Sequence, residues 1–340
     1  MENLNIVPQY VKKDFVSDQE VKWCAGCGDF SILSAVQSAL PELGIKKEKF
    51  VFVSGIGCSS RFPYYMDTYG VHGLHGRAAA IASGVKIANP ELSVWMATGD
   101  GDSMAIGGNH FIHILRRNID VNIIMFNNRI YGLTKGQYSP TTPLGQVTKT
   151  SPQGTIEHPF RPGELAMGAE GTFFARTVDT NPGQMKEVFI EAAKHKGASM
   201  VEVLQNCVIF ANGTHKTITD KENREDNQIY LKHGEKMIFG KDRNKGLVLE
   251  GLKLKVVTIG ENGVTMDDIL THNAHEEDPT LAYMLTRMSL PTHPVAMGVI
   301  RAHKTMVYDE AMTQLIAEAK ASSKIKCMND LVNSGNTFTL

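Results

Sequence analysis

Two cysteines stand two residues apart in the stretch WCAGCGDF, residues 23–30, of a chain that has five cysteines among 340 residues. A Cys-x-x-Cys pair is typical of a zinc half-site, a redox dithiol or half of an iron–sulfur site, and it also occurs by coincidence. Cys24 and Cys27 are therefore candidate ligands, and the pair alone does not choose among these interpretations.

A glycine-flanked acid lies in ATGDGDSMAIGGNH, residues 97–110, between a predicted strand and a predicted helix. Glycines let the backbone approach a ligand closely, and the N–H groups at a helix start attract an anion. Because a carboxylate repels a phosphate, Asp100 suits this place if a hard cation such as Mg²⁺ bridges the two.

A second loop with oxygen ligands is FNNRIYG, residues 126–132, where Asn128 offers an amide oxygen and Ile130 a backbone carbonyl. One β-α-β unit separates Asp100 from Asn128, which puts both at neighbouring strand ends. Gly-Asp-Gly alone is more often an ordinary tight turn, and an Asn pair an ordinary loop start. Together they predict a Mg²⁺ site formed by Asp100, Asn128 and the carbonyl of Ile130.

The elements that must position these residues are short apolar runs without polar alternation, which is typical of strands buried on both faces. The predicted strands are 49–58, 92–102, 121–128, 172–179, 199–207 and 254–261. Between and after them, helical patterns occupy 29–40, 76–89, 103–118, 182–197 and 309–323.

This alternation predicts an α/β fold with a doubly wound, mostly parallel sheet. Ligands of such sheets bind at the carboxyl ends of the strands. Cys58, Asp100, Asn128 and Cys207 all fall at predicted strand ends, so we expect one site at this edge. The segment 213–246 is polar and charged and indicates a surface arm with little core of its own. We therefore expect an α/β domain over 1–212 and, over 213–340, an extension that wraps it or contacts a partner.

The overall composition is that of an ordinary globular protein, with 42% hydrophobic and 21% charged residues and a formal net charge of -1. This charge gives no general attraction to nucleic acid or to an anionic membrane. No apolar run approaches the roughly 20 residues of a membrane span. The N-terminus lacks the apolar core of a secretory signal, so we expect a cytoplasmic protein whose cysteines are free thiols or ligands.

The motifs together resemble a known family. The sequence GDG, 25 intervening residues and NN is similar to the thiamine-diphosphate motif. WCAGCG, GIGCSSR, HGLHGRAAAIASGVKIANP, GDGDSMAIGGNH, NNRIYGLTKGQYSPTT and EVLQNCVIF occur in the order found in β subunits of 2-oxoacid:ferredoxin oxidoreductases. The resemblance covers roughly residues 20 to 215 and is greatest to the members that act on 2-oxoglutarate.

The resemblance implies three cofactors: thiamine diphosphate, Mg²⁺ and a [4Fe–4S] cluster. The cluster ligands at the matching positions are Cys24, Cys27, Cys58 and Cys207, whereas Cys327 is unmatched and predicted to be an ordinary thiol. Four thiolates suit either zinc or an iron–sulfur cluster, and spacing does not separate the two. A redox cluster beside thiamine diphosphate would have a role in the reaction, whereas a structural zinc there would have none. This context favours an iron–sulfur cluster.

The implied reaction is CoA-dependent oxidative decarboxylation of 2-oxoglutarate to succinyl-CoA and CO₂, with electrons passed through the cluster to ferredoxin, or the reverse carboxylation. No strong candidate is found for the carboxylate that activates the aminopyrimidine ring, and the family supplies it, with most of the CoA site, from an α subunit. We therefore expect an αβ pair, doubled into a heterotetramer. The alternatives are the same chemistry on pyruvate or another 2-oxoacid, a non-redox thiamine-dependent decarboxylase with structural zinc, and a scaffold subunit without cofactor.

Further site residues follow from the resemblance and the strand ends. We expect cofactor contacts from Ile56, Gly57, Ser59, His75, Gly101, Asp102, Gly132 and Leu133. His75 would bond the diphosphate or assist proton transfer, although a lone histidine is more often structural, which is the interpretation kept for His72, His110 and His113. Lys135 and Arg61 are the candidates to bind the second carboxylate of 2-oxoglutarate, and either would otherwise be a solvated loop charge.

Overall fold

The computed structural model describes residues 8–338 and confirms the predicted sheet. Eleven strands form within the described residues: β1 Phe50–Ser54, β2 Tyr69–His72, β3 Ser93–Gly99, β4 Val121–Asn127, β5 Phe173–Val178, β6 Ser199–Leu204, β7 Gln228–Leu231, β8 Ile238–Phe239, β9 Lys245–Glu250, β10 Lys253–Thr258 and β11 Val295–Ala302.

Eight of these strands form one sheet in the order β2-β1-β3-β4-β6-β5-β11-β7. β1 to β6 run parallel, and β11 pairs antiparallel with β5 and parallel with β7. β10, β9 and β8 form a separate antiparallel sheet. The carboxyl ends of β1, β3, β4 and β6, where the candidate residues follow, therefore lie at one edge.

The α-helices within the described residues are α1 Asp29–Ala39, α2 Ala78–Ala88, α3 Asp100–Met104, α4 Gly108–Arg117, α5 Pro162–Gly168, α6 Pro182–Lys194, α7 Lys216–Thr219, α8 Arg224–Asn227, α9 Thr280–Arg287, α10 Tyr308–Ser322 and α11 Met328–Val332. None of the described helices is long and apolar enough to cross a bilayer.

Successive residues of each strand face opposite sides of the main sheet, so the apolar core has two layers. In β1, Phe50 and Phe52 belong to one buried apolar cluster, with residues of α1 and α6, and Val51 and Val53 belong to the other, with residues of α2 and α4. Since both faces are covered, the strands are apolar at nearly every position. Polar residues therefore gather where the strands end.

The helix predicted over 103–118 is wrong, because the structure has two helices, α3 and α4, in its place. A Cβ on Gly107 would lie 2.4 Å from the carbonyl oxygen of Asp102. The absence of a side chain at Gly107 therefore allows the chain to fold back on α3 before α4 begins. α3 itself starts at Asp100, directly after β3.

The C-terminal part contributes more to the sheet than its composition indicates. β7 lies in the segment predicted to have little core, yet Ile229 and Leu231 are fully buried. β11 is interrupted by Gly298, whose φ is 85°, and by a register shift between Val299 and Arg301. The domain division at residue 212 stays a prediction, and two strands from beyond it complete the main sheet.

His195, which follows α6, gives the fold a pH dependence. Burial lowers the pKa of His195 to about 4, although the nearby Asp120 opposes this. The folded chain therefore binds fewer protons than the unfolded chain between pH 6.5 and 4, and stability falls as the pH falls through this window. We expect the titration of His195 to change the free energy of unfolding by about 1.4 kcal/mol per pH unit in this window.

The measurement is urea unfolding at pH 7 and pH 5 for the wild-type chain and for His195→Gln. The difference in unfolding free energy between the two pH values should be smaller in the variant. Equal pH dependence of the two proteins would show that His195 is not the group that titrates.

Candidate active site

Asp100 is the first residue of α3 and lies directly after β3. Its side chain is buried, and one carboxylate oxygen accepts hydrogen bonds of 2.5 Å from the hydroxyls of both Ser139 and Thr141. Burial raises the pKa of Asp100 to about 6, and the hydroxyl bonds oppose this rise. A nearby cation stabilises the charged form of a buried carboxylate, so this environment fits the predicted role of Asp100 as a Mg²⁺ ligand.

The two asparagines after β4 have different environments. Asn127 is buried, accepts from Thr141 at 2.9 Å and donates to Glu202 at 2.7 Å. Asn128 is only half-buried, and its side-chain oxygen accepts from the backbone N–H of Ile130 at 3.1 Å. Thr141 thus contacts both Asp100 and Asn127, and the loop with Asn128 and Ile130 starts beside Asp100.

The four predicted cluster cysteines come from three loops at this edge. Cys24 and Cys27 share a turn before α1, Cys58 follows β1 and Cys207 follows β6. A Cβ on Gly132 would lie 3.5 Å from the Sγ of Cys58 and 3.7 Å from that of Cys207. The structure therefore brings these two sulfur atoms together although 148 residues lie between them in sequence.

The pKa shifts of Cys58 and Cys27 indicate that Cys24 and Cys27 also lie near the pair formed by Cys58 and Cys207. Burial, then Asp29, Cys207 and Cys24, together raise the pKa of the Cys58 thiol to about 12. Burial, then Asp29, also raises the pKa of Cys27 far above its ordinary value, with smaller contributions from Cys207 and Cys58. Thiolates that are buried and repel one another need positive charge between them, which bound metal supplies. Within residues 8–338, no three His, Cys, Asp or Glu side chains surround a single-ion position.

Neighbouring groups hold the cysteine loops. The indole N–H of Trp23 donates to the carbonyl oxygen of Cys58 at 2.8 Å, and the side-chain amide of Gln205 donates to the Sγ of Cys27 at 3.3 Å. Hydrogen bonds to ligand sulfur raise the reduction potential of a cluster. The chemistry of the site, four sulfur donors with an N–H···S bond, therefore fits an iron–sulfur cluster.

The predicted cofactor contacts border the Asp100 turn. Gly57 has a φ of 120° and open space where a Cβ would stand, so a side chain is strained there by the backbone alone. A Cβ on Gly101 would lie 2.2 Å from the ring of Tyr131, whose hydroxyl donates to the Gly101 carbonyl oxygen at 3.0 Å. Ser59 is buried, and Leu133 is 48% exposed. The backbone N–H of Ile56 and the ring of His75 both bond to the carboxylate of Asp102.

The two predicted substrate cations differ in their surroundings. Lys135 is exposed on the loop after β4, with a positive φ of 71°. Arg61 donates to the carbonyl oxygen of Lys22 at 3.3 Å, and its charge lowers the pKa of the Cys58 thiol against the larger effect of burial. Arg61 thus lies on the cysteine side of the site. Cys327 is exposed in the C-terminal segment and separate from the four cysteines.

The histidines expected to be structural or on the surface have ordinary positions. His72 is exposed at the end of β2, where its ring contacts Tyr64. His110 and His113 lie on α4.

Sequence reasoning missed the residues that hold Asp100 and Asn127. Ser139 and Thr141 belong to the motif end YSPTT, whose hydroxyl residues were the available signal. Glu202 is a buried charge in the apolar strand β6 and pairs with Arg176 at 2.7 Å. A carboxylate inside an otherwise apolar strand was the signal for this second pair, since buried charges are normally paired.

A family model matches the part of the chain that contains the Asp100 turn. Residues 55–203 match the family model described as "Thiamine pyrophosphate enzyme, C-terminal TPP binding domain". This range contains Asp100 and Asn128. The domain model therefore covers the predicted cofactor edge, from the loop after β1 to β6.

Similar proteins cover most of the chain. It is 48% identical over 332 residues to the 2-oxoglutarate oxidoreductase subunit KorB of Mycobacterium tuberculosis, which covers 96% of this chain and 88% of that protein. It is 47% identical over 201 residues to the 2-oxoacid:ferredoxin oxidoreductase subunit beta of Saccharolobus solfataricus, covering 58% of this chain and 66% of that protein.

A solved structure is similar over almost the whole length. It is described as the 2-oxoglutarate:ferredoxin oxidoreductase from Magnetococcus marinus with 2-oxoglutarate, coenzyme A and succinyl-CoA bound. The TM-score is 0.78 at 30% sequence identity, and the match covers 98% of each chain. Together with the thiamine-diphosphate motif and the relative of which the match covers 88%, this shows that the chain belongs to the β subunits of the 2-oxoacid:ferredoxin oxidoreductases.

Proposed function

We propose that this chain is the thiamine-diphosphate-binding β subunit of a 2-oxoglutarate:ferredoxin oxidoreductase. The reaction is the CoA-dependent oxidative decarboxylation of 2-oxoglutarate to succinyl-CoA and CO₂, with two electrons passed to ferredoxin, and it also runs in reverse with a sufficiently low-potential donor. The relatives named for 2-oxoglutarate support this substrate.

One observation carries the proposal: the loop after β4 borders both candidate centres. Gly132 lies against the sulfur atoms of Cys58 and Cys207, and the adjacent Tyr131 bonds to the backbone of Gly101, next to Asp100. A five-residue stretch, 128–132, therefore runs from the proposed Mg²⁺ ligands to the proposed cluster ligands. Such closeness is what electron transfer from a cofactor-bound substrate requires.

The residues that would hold Mg²⁺ are Asp100, Asn128 and the carbonyl of Ile130. A carboxylate and two neutral oxygens are ligands that suit this ion, which also bonds phosphate oxygens. Thiamine diphosphate, when bound, supplies the nucleophile and the electron sink for decarboxylation of a 2-oxoacid. The chain's own contribution is to hold the diphosphate against the glycine turns after β1 and β3.

The residues that would hold the [4Fe–4S] cluster are Cys24, Cys27, Cys58 and Cys207. The cluster, when bound, accepts electrons one at a time. Zinc in the same four cysteines would leave the chain without a redox centre, which is the non-redox alternative. Metal analysis separates the two.

A partner subunit is supported by the surface around the site. Leu74, Ile106 and Leu133 are 73%, 53% and 48% exposed, and they flank His75 and the Asp100 turn. Large apolar side chains that stand together in water mark an interaction surface. We assign this surface to the α subunit, which also completes the site for coenzyme A.

The test of the proposed function is the anaerobic reaction of the αβ complex with 2-oxoglutarate, CoA and ferredoxin. We expect ferredoxin reduction, CO₂ and succinyl-CoA in a ratio of two electrons to one thioester. Release of CO₂ with an aldehyde product and no reduced ferredoxin would support the non-redox decarboxylase. If the complex preferred pyruvate, the proposed mechanism would stand but 2-oxoglutarate would be the wrong substrate.

Substitution of Lys135 tests the substrate more closely. An exposed loop cation can pair with the second carboxylate of 2-oxoglutarate, and pyruvate has none. Lys135→Ala should therefore lower kcat/KM for 2-oxoglutarate by roughly 10- to 150-fold, as expected for a charge-assisted hydrogen bond of about 1.5–3 kcal/mol. The measurement is kcat/KM for both substrates in the αβ complex.

Lys320→Ala is the control, since Lys320 is an exposed lysine on α10. This variant should leave both values unchanged. Equal losses on 2-oxoglutarate and pyruvate in Lys135→Ala would exclude a role in reading the second carboxylate.

A further inference from the structure

Asp102 lies two residues after Asp100 but has a different environment. Its side chain is 1% exposed. One carboxylate oxygen, Oδ1, accepts from the backbone N–H groups of Ile56 at 3.1 Å and Gly76 at 2.7 Å, and it bonds to Nδ1 of His75 at 2.5 Å. The other oxygen accepts from the hydroxyl of Thr98 at 2.9 Å.

The backbone packs closely around the carboxylate of Asp102. A Cβ on Gly55 would lie 1.9 Å from Oδ2 of Asp102. The bonds to Ile56 and Gly76 connect the loop after β1 to the loop that precedes α2. Asp102 therefore ties both loops to α3 and is enclosed by them, so it acts on a ligand through its neighbours.

The bonds to Asp102 fix the proton on the His75 ring. Backbone N–H groups are always donors, so Oδ1 of Asp102 is an acceptor in this arrangement. Nδ1 of His75 must therefore carry a proton and donate it to the same oxygen. In the neutral ring, the second nitrogen, Nε2, is then an acceptor.

Nε2 of His75 is on the open side of the ring. The His75 side chain is 40% exposed, and no described residue forms a hydrogen bond with Nε2. The ring meets Tyr131 edge to face, with centroids 6.3 Å apart, and Tyr131 bonds to the carbonyl of Gly101. The free nitrogen thus stands beside the turn that contains Asp100, where the proposed reaction takes place.

We infer that Asp102 is a positioning residue that holds His75 with its proton on Nδ1, so that Nε2 accepts a proton from the bound reactant and returns it within the same turnover. The N–H bond forms at Nε2 as the reactant's bond to that proton breaks, and the resulting imidazolium is paired with the Asp102 carboxylate. This inference rests on the proposed function for the identity of the reactant.

The first test does not depend on activity. The full chain, labelled with ¹⁵N in the histidine rings, is examined by NMR at pH 8, and the His75 signals are assigned by their loss in His75→Gln. We expect a proton on Nδ1 and none on Nε2, and in Asp102→Asn a loss of this single state. A proton on Nε2 in the wild-type chain would overturn the inference.

The second test is a double-mutant cycle in the αβ complex. Asp102→Asn and His75→Gln should each lower kcat on 2-oxoglutarate by about 100-fold, the lower range of general acid–base catalysis, with a much smaller change in KM. Since Asp102 acts through His75, the double variant should lose no more than His75→Gln alone. Losses that multiply would show that Asp102 has a separate, structural role.

Asp242→Asn is the matched control. It makes the same carboxylate-to-amide change as Asp102→Asn at an exposed position, so the His75 tautomer and kcat should stay as in the wild type. A wild-type complex that is inactive on every 2-oxoacid would contradict the proposed function, whereas the tautomer measurement would still decide the role of Asp102.

Discussion

Cys207→Ser is expected to remove the iron–sulfur cluster and, with it, reduction of ferredoxin. The wild-type complex should contain about four iron atoms per β chain in this site, and the variant close to none. Cys207 follows β6, outside the loops predicted to contact thiamine diphosphate, so cofactor binding should persist. We expect at least a 100-fold loss of ferredoxin reduction, because electrons have no acceptor beside the cofactor.

The measurement is iron and zinc content with absorbance near 400 nm in anaerobically purified protein. Cys327→Ser is the matched control, because Cys327 is an exposed cysteine away from the site, and it should retain iron and activity. Unchanged iron in Cys207→Ser would remove Cys207 from the ligand set. Stoichiometric zinc in the wild-type protein would favour the non-redox alternative.

Asp100→Asn is expected to change cofactor affinity and stability in opposite directions. The Mg²⁺ site loses its carboxylate, so Mg²⁺-dependent binding of thiamine diphosphate should weaken by about 100-fold or more, the effect of losing a charged hydrogen-bonding group of roughly 3 kcal/mol. In the cofactor-free chain, however, the substitution removes a buried charge.

The sign of the stability change follows from the raised pKa of Asp100. A folded-state pKa of about 6, against 3.8 in the unfolded chain, means that the charged form is disfavoured in the folded protein above pH 6. Asn carries no charge, so the cofactor-free variant should be more stable than the wild type at pH 8, by at most about 3 kcal/mol. The difference should disappear below pH 4.

Calorimetric titration with thiamine diphosphate and Mg²⁺ measures the affinity, and urea unfolding at pH 8 and pH 4 measures stability. Asp242→Asn, at an exposed position, is the control for both. Wild-type affinity in Asp100→Asn would show that the cation is held elsewhere. A variant that is less stable at pH 8 would contradict the electrostatic interpretation of this buried carboxylate.

The candidate site could be predicted from sequence because its residues follow strands that are apolar at almost every position. Such strands are recognised without their partners, and parallel pairing then puts Cys58, Asp100 and Asn128 at one edge. The register of β3 and β4, with Gly99 opposite Phe126, shows this directly. The glycine turns supplied the second signal, since they mark where the backbone approaches a ligand.

The residues that support Asp100 could not be assigned in the same way. Ser139 and Thr141 are 39 and 41 residues from Asp100, in a loop without regular periodicity. Hydroxyl side chains are common in loops, so only the folded chain shows which of them are buried against a carboxylate. The same holds for Asp102, whose carboxylate forms four hydrogen bonds with residues that precede it by 4 to 46 positions.

The C-terminal strands show the other limit. β7 has only four residues between polar stretches, and Gly298 breaks the pattern of β11 in the middle. β7 pairs with β11, and β11 pairs with both β7 and β5, so their hydrogen bonds come from distant strands and local propensity alone does not reveal them. Beyond residue 212 the sequence therefore underestimates how much of the chain belongs to the main sheet.

The most direct test of the proposed electron path is electron paramagnetic resonance of the anaerobic αβ complex after mixing with one 2-oxoacid, with and without coenzyme A. We expect a reduced-cluster signal with 2-oxoglutarate and a much weaker one with pyruvate. In a complex with the Cys207→Ser β subunit, the signal of this cluster should be absent. If the wild-type complex gave no cluster signal even with dithionite, Cys24, Cys27, Cys58 and Cys207 would hold something other than iron, and the proposed electron path through this subunit would be wrong.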